Sequence, residues 1–145
     1  LLISRTSNIS CSCFLFEGTF TEDSVPIGEH ITFDCTGVIP NTGKYIEKRS
    51  IFKNGYNNYE VISYFYDSDQ IKSNCKYYGK KSGICIRYHL NGNISEEINY
   101  ISGKRDGHYK RLTKDGRIIE EGEYEKGSKV GKWDINEYLK SEEEN

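Results

Sequence analysis

The stretch that decides the fold is residues 79–131, where a five-residue pattern of the form Gly-x-x-x-Gly recurs without gaps. Its copies are 24 residues apart: Gly79-Lys80-Lys81-Ser82-Gly83, Gly103-Lys104-Arg105-Asp106-Gly107 and Gly127-Ser128-Lys129-Val130-Gly131. Between them lie Asn91-Gly92 and Asp115-Gly116, again 24 residues apart. Asn-Gly and Asp-Gly tolerate positive φ, so each pair predicts a tight hairpin turn of type I′. Each unit therefore has two turns, marked by Gly79, Gly83, Gly92, Gly103, Gly107, Gly116, Gly127 and Gly131.

Between the turns, the residues alternate with the period of two that a β-strand requires. Ile84 and Ile86 share one face of the predicted strand, while Cys85 and Arg87 share the other. Equivalent positions of successive units form columns that read Cys85, Tyr109, Trp133 and Tyr100, Tyr124. Because one hairpin cannot bury its own face, stacked aromatic columns are usually packing. We therefore expect Tyr109, Tyr124 and Trp133 to be core positions.

The pattern extends toward the N-terminus with small slips in spacing. The six-residue step from Ile94 to Tyr100 recurs from Ile46 to Phe52 and from Ile71 to Tyr77, and Glu17-Gly18-Thr19-Phe20 echoes Glu121-Gly122-Glu123-Tyr124. We therefore predict an all-β protein, an elongated single-layer antiparallel array of consecutive hairpins over residues 17–138. Residues 1–16 are expected to be a leader stub or a disordered N-terminus. Residues 139–145 are expected to be a solvated acidic tail that closes a short helix beginning near Asp134.

Composition excludes two classes of partner. The hydrophobic class amounts to 35% of the chain, and 12 of the residues are Tyr while none is Met, so the core should be thin and rich in β-strand. The net charge of −2 supplies no field that would attract nucleic acid, and no apolar run reaches the roughly 20 residues of a membrane helix. A lipid anchor is the one membrane route left open, because Asn8-Ile9-Ser10-Cys11 loosely resembles a lipoprotein cleavage box. A cytoplasmic location is favoured, with the cell envelope as the alternative.

Residue types that often carry chemistry do not form a catalytic pattern in this sequence. The five cysteines leave at least one thiol free unless chains cross-link, and Cys85 is expected to be a buried thiol because it shares a column with Tyr109 and Trp133. Metal and cofactor sites are not predicted, since the cysteines lack a second ligand pair and the three histidines lie far apart. We interpret His89 and His108 as surface residues. The pairs Glu96-Glu97 and Glu120-Glu121 are interpreted as solvated strand edges, so an enzyme is not expected.

Residues 103–127 resemble the MORN-repeat variant, whose motif reads approximately Gly-Lys-x-x-Gly-x-Trp/Tyr, then Asn/Asp-Gly, then Glu-Glu-Gly-x-Tyr. The resemblance is strong over residues 79–133, moderate over residues 41–78 and weak before that. Ile98 and Cys75 replace the glycine that Gly122 supplies in the Glu-Glu-Gly segment. The resemblance implies structural glycines and aromatics, with no catalytic residues to carry over. Bacterial proteins of this family are commonly antitoxin or immunity components of the YwqK type, which implies a cognate toxin as partner.

Two non-enzymatic functions follow from this sequence. In the first, the protein binds another protein, which the resemblance implies is a toxin, through side chains that the repeat itself does not need. Tyrosine offers a large, rigid contact area with a polar tip, so the irregular middle of the chain is the predicted contact surface, namely Tyr56, Tyr59, Tyr64 and Tyr66. An alternative for Tyr64 and Tyr66 is that they are local versions of the core columns. The second function is a structural or scaffolding role in the cell envelope or the cytoskeleton, and the oligomeric state is left open.

Overall fold

A computed structural model describes residues 3–8, 14–34, 45–65 and 68–143. Within these residues, eleven strands follow one another in a single sheet, and each pairs antiparallel with the next. The predicted all-β array of consecutive hairpins is confirmed. The elements are β1 (Ile3–Asn8), β2 (Phe14–Phe20), β3 (Pro26–Asp34), β4 (Tyr45–Phe52), β5 (Asn58–Tyr64), β6 (Ile71–Tyr78), β7 (Ser82–Tyr88), β8 (Ile94–Ile101), β9 (Lys104–Leu112), β10 (Ile118–Glu125), β11 (Ser128–Ile135) and α1 (Glu137–Glu143).

Both ends of the sheet differ from the expected boundaries. Strand β1 lies inside the segment 1–16 that was expected to be a leader or disordered, and it pairs with β2 from Ile3↔Phe20 to Asn8↔Leu15. The helix begins at Glu137 and not near Asp134, because β11 continues to Ile135. Asn136 then caps the helix, since its side-chain oxygen accepts the N–H of Leu139 at 3.2 Å. The helix takes in much of the predicted tail.

The Asn-Gly and Asp-Gly turns have positive φ at glycine, as predicted, but not the predicted turn type. Gly92 and Gly116 both have φ of +87°, whereas neither Asn91 nor Asp115 has positive φ. The N–H of Gly92 donates to the carbonyl of His89 at 2.9 Å, which is a type I turn followed by a left-handed glycine. The type I′ prediction was therefore wrong for these loops, which have three residues instead of two.

Consecutive residues with positive φ, the mark of a type I′ turn, occur at the opposite ends of the hairpins. They are Ser102-Gly103, with φ of 51° and 80°, and Lys126-Gly127, with φ of 50° and 97°. These turns bond to the preceding unit in the same way. Gly103 and Gly127 donate their N–H groups to Lys81 and Arg105 carbonyls at 3.1 and 2.8 Å. The hydrogen bonds between neighbouring units therefore repeat along the chain with the same spacing as the turns themselves.

Many of the buried residues form one row across the sheet, which we call the core row, while others such as Ile119 and Leu139 lie outside it. Each member lies opposite the next in the strand register, and most are less than a tenth exposed. Buried apolar groups, a disulfide and an aromatic ring therefore lie side by side on one face of the sheet. The row consists of His30, Ser50, Val61, Cys75, Cys85, Ile98, Tyr109 and Gly122.

Cys85 is buried, but it is not the free thiol that the sequence predicted. Its partner in the register of β6 and β7 is Cys75, and the two form a disulfide. Directly opposed residues of an antiparallel pair place their side chains on the same face, which brings the two sulfurs together. The exposures of Cys75 and Cys85 are 7% and 3%, so the bridge is part of the core.

Tyr109 is confirmed as a core residue, while Trp133 is half-buried because β11 is the last strand in the described part of the sheet. Burial, and next a hydrogen bond from its hydroxyl to Glu96 at 2.8 Å, hold the pKa of Tyr109 far above its usual value. The Trp133 ring lies against Gly122, where a β-carbon would be 2.5 Å from the nearest ring atom. The ring also packs edge-on against Tyr124 at 5.2 Å.

His30 fills in the second hairpin the place that Trp133 fills in the last. In each case three residues beginning with a positive-φ glycine, Gly28 or Gly131, oppose a single residue on the neighbouring strand. The indole Nε1 of Trp133 donates to the carbonyl of the residue three positions earlier at 3.2 Å, and His30 Nε2 makes the equivalent bond, also at 3.2 Å. Since Nε2 also contacts the Thr19 carbonyl at 2.8 Å, this nitrogen must carry the proton. Sequence reasoning missed this equivalence.

Candidate protein-binding surface

Four aromatic side chains form a continuous surface over β4, β5 and β6. Phe52, Tyr59 and Tyr77 lie opposite one another in the register, and their rings stack with centroids 5.4 and 5.0 Å apart. The ring of Tyr56 packs edge-on against Phe52 at 5.6 Å and against Tyr59 at 6.4 Å. We call Phe52, Tyr56, Tyr59 and Tyr77 the aromatic surface. Stacked and edge-to-face rings hold one another in place, so this surface is rigid.

The loop that carries Tyr56 is fixed by its neighbours. It is closed by the N–H of Lys53, which donates to the carbonyl of Asn58 at 2.9 Å. Gly55 is buried with φ of 51°, and a β-carbon there would be 2.6 Å from a methyl of Val25. Only glycine allows this contact with the β2–β3 turn. As a result Tyr56 is held on the surface with 61% of its area exposed.

Two phenols of this surface, those of Tyr59 and Tyr77, have raised pKa values. Burial, and next the neighbouring Tyr56, raise the pKa of Tyr59. Burial is also the largest cause of the raised pKa of Tyr77, followed by Tyr100 and Tyr59, while Arg87 acts in the opposite direction. At neutral pH these groups therefore offer apolar rings with uncharged hydroxyl tips, a combination that suits a protein interface.

The predicted contact residues do not form one patch. Tyr56 and Tyr59 come together as described, but Tyr64 lies at the far end of β5, opposite Ile71. Five residues of a strand span roughly 17 Å, so Tyr64 is distant from Tyr59. Tyr66 lies outside the described residues.

Sequence reasoning did not name Phe52 and Tyr77 as contact residues. A signal was present, because both residues end the six-residue step that Tyr100 ends in a later unit. That step marks an aromatic column running across the sheet. It does not show which members of the column stay exposed.

A row of alternating charges flanks the core row on the same face, because each member is two residues from a core-row position. It consists of Arg87, Glu96, Arg111 and Glu120, and the side chain of Lys129 reaches it at Glu120. We call it the charge ladder. Glu96 is 2.6 Å from Arg87, and Glu120 is 3.4 Å from Arg111 and 2.9 Å from Lys129. The carboxylate-bearing side chains of Glu96 and Glu120 are only 16% and 10% exposed. The prediction of solvated strand edges was therefore wrong for these two residues.

The histidines singled out by sequence do not form a catalytic group. His89 Nε2 is bonded to the carbonyl of Leu112 at 2.9 Å, and exposed His108 lies 3.4 Å from Glu123. Within residues 3–8, 14–34, 45–65 and 68–143, no three of the residue types His, Cys, Asp and Glu are grouped so that they could hold a metal ion. In the same ranges no helix is long and apolar enough to cross a membrane.

Comparison of the chain with models of known protein families, with curated proteins and with solved structures finds no match in any of the three. The geometry of the molecule is therefore the basis for a functional proposal.

Proposed function

We propose that this protein acts by stoichiometric binding to another protein, without turnover, through the aromatic surface. The observation that carries the proposal is Tyr56, a residue that is 61% exposed although Phe52 and Tyr59 hold its ring edge-on. A side chain that is already ordered loses little entropy when a partner covers it. Tyrosine is also among the residues that contribute most at the centres of interfaces.

The class of partner comes from the sequence resemblance. Residues 79–133 resemble MORN-repeat variants, whose bacterial members commonly act as antitoxin or immunity proteins. We therefore propose a cognate toxin as the partner. All four members of the aromatic surface precede this regular stretch of the chain. Tyr77 lies just before it, and the other three, Phe52, Tyr56 and Tyr59, lie further toward the N-terminus. Partner choice and repeat packing would then use different parts of the chain.

The test compares two tyrosines of equal exposure on opposite faces. Tyr56 is 61% exposed, and Tyr78, which follows Tyr77 along β6 and so points to the other face, is 59% exposed. Wild-type protein, Tyr56→Ala and Tyr78→Ala are used to capture partners from the native host, and the captured protein is then titrated by calorimetry. We expect Tyr56→Ala to weaken binding by about 30-fold or more, as a central contact would, and Tyr78→Ala to bind as the wild type does.

Three results would contradict the proposal: equal binding by both variants, no partner captured by the wild type, or turnover of a substrate. Tyr59 is a poorer choice for the test, because its ring is stacked between Phe52 and Tyr77. Its replacement would also lower stability. Unfolding in urea checks that Tyr56→Ala and Tyr78→Ala remain folded.

A scaffolding role is the second candidate, favoured by the contacts between units. Equivalent turns bond to one another along the sheet, for example through the N–H of Lys126 to the Asp106 carboxylate at 3.0 Å and of Ser102 to the Ser82 hydroxyl at 3.0 Å. Such repeated bonds stiffen an extended array. For a scaffold, both tyrosine variants would bind partners equally, while disruption of the turns would abolish function.

A further inference from the structure

A cleft on the same face as the core row lies at the hairpin ends that carry Asn91-Gly92. Its volume is about 340 Å³, which is at the lower end of the range for small-ligand sites. It spans the end of β5 to β9 and is therefore separate from the aromatic surface. Its apolar walls are Phe65, Tyr88 and Leu112.

The polar side of the cleft is mainly cationic. Lys72, Arg87 and Arg111 line it, and Glu96 is the one carboxylate among the described lining residues. Arg87 and the hydroxyl of Tyr109 already bond to that carboxylate at 2.6 and 2.8 Å. Glu96 therefore cannot neutralise the remaining cations.

The carboxylates of the whole charge ladder are too few to neutralise the positive charges at the cleft. Its carboxylates are Glu96 and Glu120, and Glu120 is shared between Arg111 at 3.4 Å and Lys129 at 2.9 Å. Lys72 is exposed and has no carboxylate partner among the described residues. Among the described residues, counting Lys72 with the ladder gives four cations against two carboxylates, an excess of two positive charges.

Arg111 has hydrogen-bonding capacity to spare. Its Nε atom is buried and finds no hydrogen-bond acceptor among the described residues, because the approach to Glu120 at 3.4 Å lacks hydrogen-bond geometry. Buried donors are normally satisfied, so the Arg111 guanidinium is under-bonded. Its side chain is 25% exposed, so an acceptor supplied from outside can reach the rest of the group. A guanidinium pairs best with a planar anion such as a carboxylate.

We propose that the cleft binds an acidic side chain of a peptide segment, with an adjacent apolar residue against Phe65, Tyr88 and Leu112. The proposal deepens the proposed protein-binding function and rests on it, since it assigns a chemistry to a second contact with the partner. The carboxylate would lie between Lys72 and Arg111. Charge complementarity selects an acidic segment over a neutral or basic one.

The test uses two capped dipeptides that differ in one charge, N-acetyl-Phe-Glu-amide and N-acetyl-Phe-Gln-amide, titrated into the full chain at low salt. Amide resonances of Arg87, Ser95 and Arg111 report occupancy by nuclear magnetic resonance. We expect saturable shifts with the Glu peptide and at least tenfold weaker binding of the Gln peptide. Lys72→Gln should weaken the Glu peptide about three- to fivefold, as loss of one exposed charge pair would.

The matched control is Lys80→Gln, which removes an exposed lysine that does not line the cleft and should leave peptide binding unchanged. Equal binding of the two peptides, absence of saturable shifts at the cleft, or identical effects of Lys72→Gln and Lys80→Gln would overturn the proposal. Inorganic phosphate that binds more tightly than the Glu peptide would also overturn it, in favour of a free-anion site.

The outcome is separable from the test of the proposed function. Tyr56→Ala lies outside the cleft and should keep peptide binding. If partner capture depends on Tyr56 but no peptide binds the cleft, the cleft proposal is refuted and the proposed function stands. Peptide binding without Tyr56-dependent capture supports the cleft and contradicts the aromatic surface as the partner site.

Discussion

The β6–β7 hairpin and the β10–β11 hairpin occupy equivalent places in the repeat but solve the packing problem differently. In β10–β11, three residues that end in Trp133 bulge opposite Gly122, and the ring folds over that glycine. In β6–β7 the pairing has no irregularity, and Cys75 lies directly opposite Cys85 in a disulfide. Strand pair β2–β3 follows the bulged pattern, with His30 at the end of the bulge. Strand pair β8–β9 is also bulged, but there residues 106–108 oppose Asn99 and Tyr109 pairs directly with Ile98.

Where the ring of His30 or Trp133 fills the position the strand is bulged, and where the small Cys75 and Cys85 meet the strands run straight. The extra backbone of a bulge re-aims a side chain, which lets a large planar group turn its ring over the neighbouring strand. Cysteine is small, so the strand can run straight and remain close enough to its partner for a covalent bond. The sheet continues in both cases, because the order of the strands does not depend on how each core position is filled.

The largest expected effects come from three repeat-equivalent glycines, Gly83, Gly107 and Gly131, all with positive φ. A β-carbon at Gly83 would lie 1.9 Å from the Lys76 carbonyl oxygen, at Gly107 the nearest atom would be 3.5 Å away, and at Gly131 nothing lies within 4 Å. Gly83→Ala should therefore cost about 3–5 kcal/mol of unfolding free energy, from overpacking added to backbone strain. Urea denaturation measures this.

The other two glycines are the matched controls. Gly107→Ala and Gly131→Ala introduce the same backbone strain as Gly83→Ala but no steric clash. Each should therefore lower the unfolding free energy by only about 1–2 kcal/mol. Equal losses for all three variants would mean that the straight pairing of β6 with β7 does not distinguish this hairpin from the bulged ones.

The disulfide should contribute the next largest effect. It closes a loop with a sequence separation of 10 residues, for which chain entropy gives about 2–3 kcal/mol. The double variant Cys75→Ser/Cys85→Ser should lose that amount in urea denaturation under oxidising conditions. Under reducing conditions the wild type should fall to a similar stability. Insensitivity of the wild type to reduction would show that the bridge does not form.

Exchange of this pair for the one in β8–β9 sharpens the comparison. Ile98 lies opposite Tyr109, so the variant Cys75→Ile/Cys85→Tyr places the same side chains in β6–β7. We expect it to be more stable than the double serine variant, because it restores buried apolar area. Stability below that of the serine variant would show that the straight strand cannot accept a ring.

A double-mutant cycle tests the contact in the bulged hairpin. Gly122→Ala should cost about 1–3 kcal/mol, since its β-carbon would be 2.5 Å from the Trp133 ring. Trp133→Ala should cost about 2–3 kcal/mol, less than a fully buried Trp. In the double variant the cost of alanine at 122 should nearly vanish. If the losses of the two single variants simply added in the double variant, the Trp133 ring would not contact residue 122.

The smallest effect is a gain in stability. Lys126 has φ of 50° in a type I′ turn, and its side chain is 82% exposed. Lys126→Gly should stabilise the protein by about 0.5–1 kcal/mol through relief of strain. Lys132→Gly, at an exposed strand position without positive φ, is the control and should destabilise. A loss of stability in Lys126→Gly would argue against this turn geometry.

The hairpin order could be predicted from sequence because glycine pairs and aromatic columns recur at a fixed spacing. The turn types could not, since Asn91-Gly92 is compatible with both a two-residue and a three-residue loop. The disulfide depends on register, which the slipped spacing of the middle units hides. His30 was missed because its chemistry differs from that of Trp133, although Gly28 and Gly131 mark the same bulge.

The candidate sites were only partly predictable. Tyr56 and Tyr59 were named from their residue type, and the structure places them together. The cleft requires Lys72, Arg87 and Arg111 to meet across β6 to β9, and no local pattern reports such a meeting. Charge alternation along the ladder is likewise a property of neighbouring strands.

The claim that the bulged packing of the last hairpin recurs in the second hairpin is tested most directly at His30, which takes the place of Trp133. In a nitrogen-15 spectrum of the histidine side chains, we predict a protonated Nε2 that exchanges slowly with water, because it is bonded to the Thr19 and Ile27 carbonyls at 2.8 and 3.2 Å. Nuclear Overhauser effects should connect the imidazole to the rings of Phe20 and Phe52, whose centroids both lie 4.8 Å away. Exposed His108 provides the reference for rapid exchange in the same spectrum. A His30 ring that exchanges as fast as His108 and lacks both contacts would contradict the account.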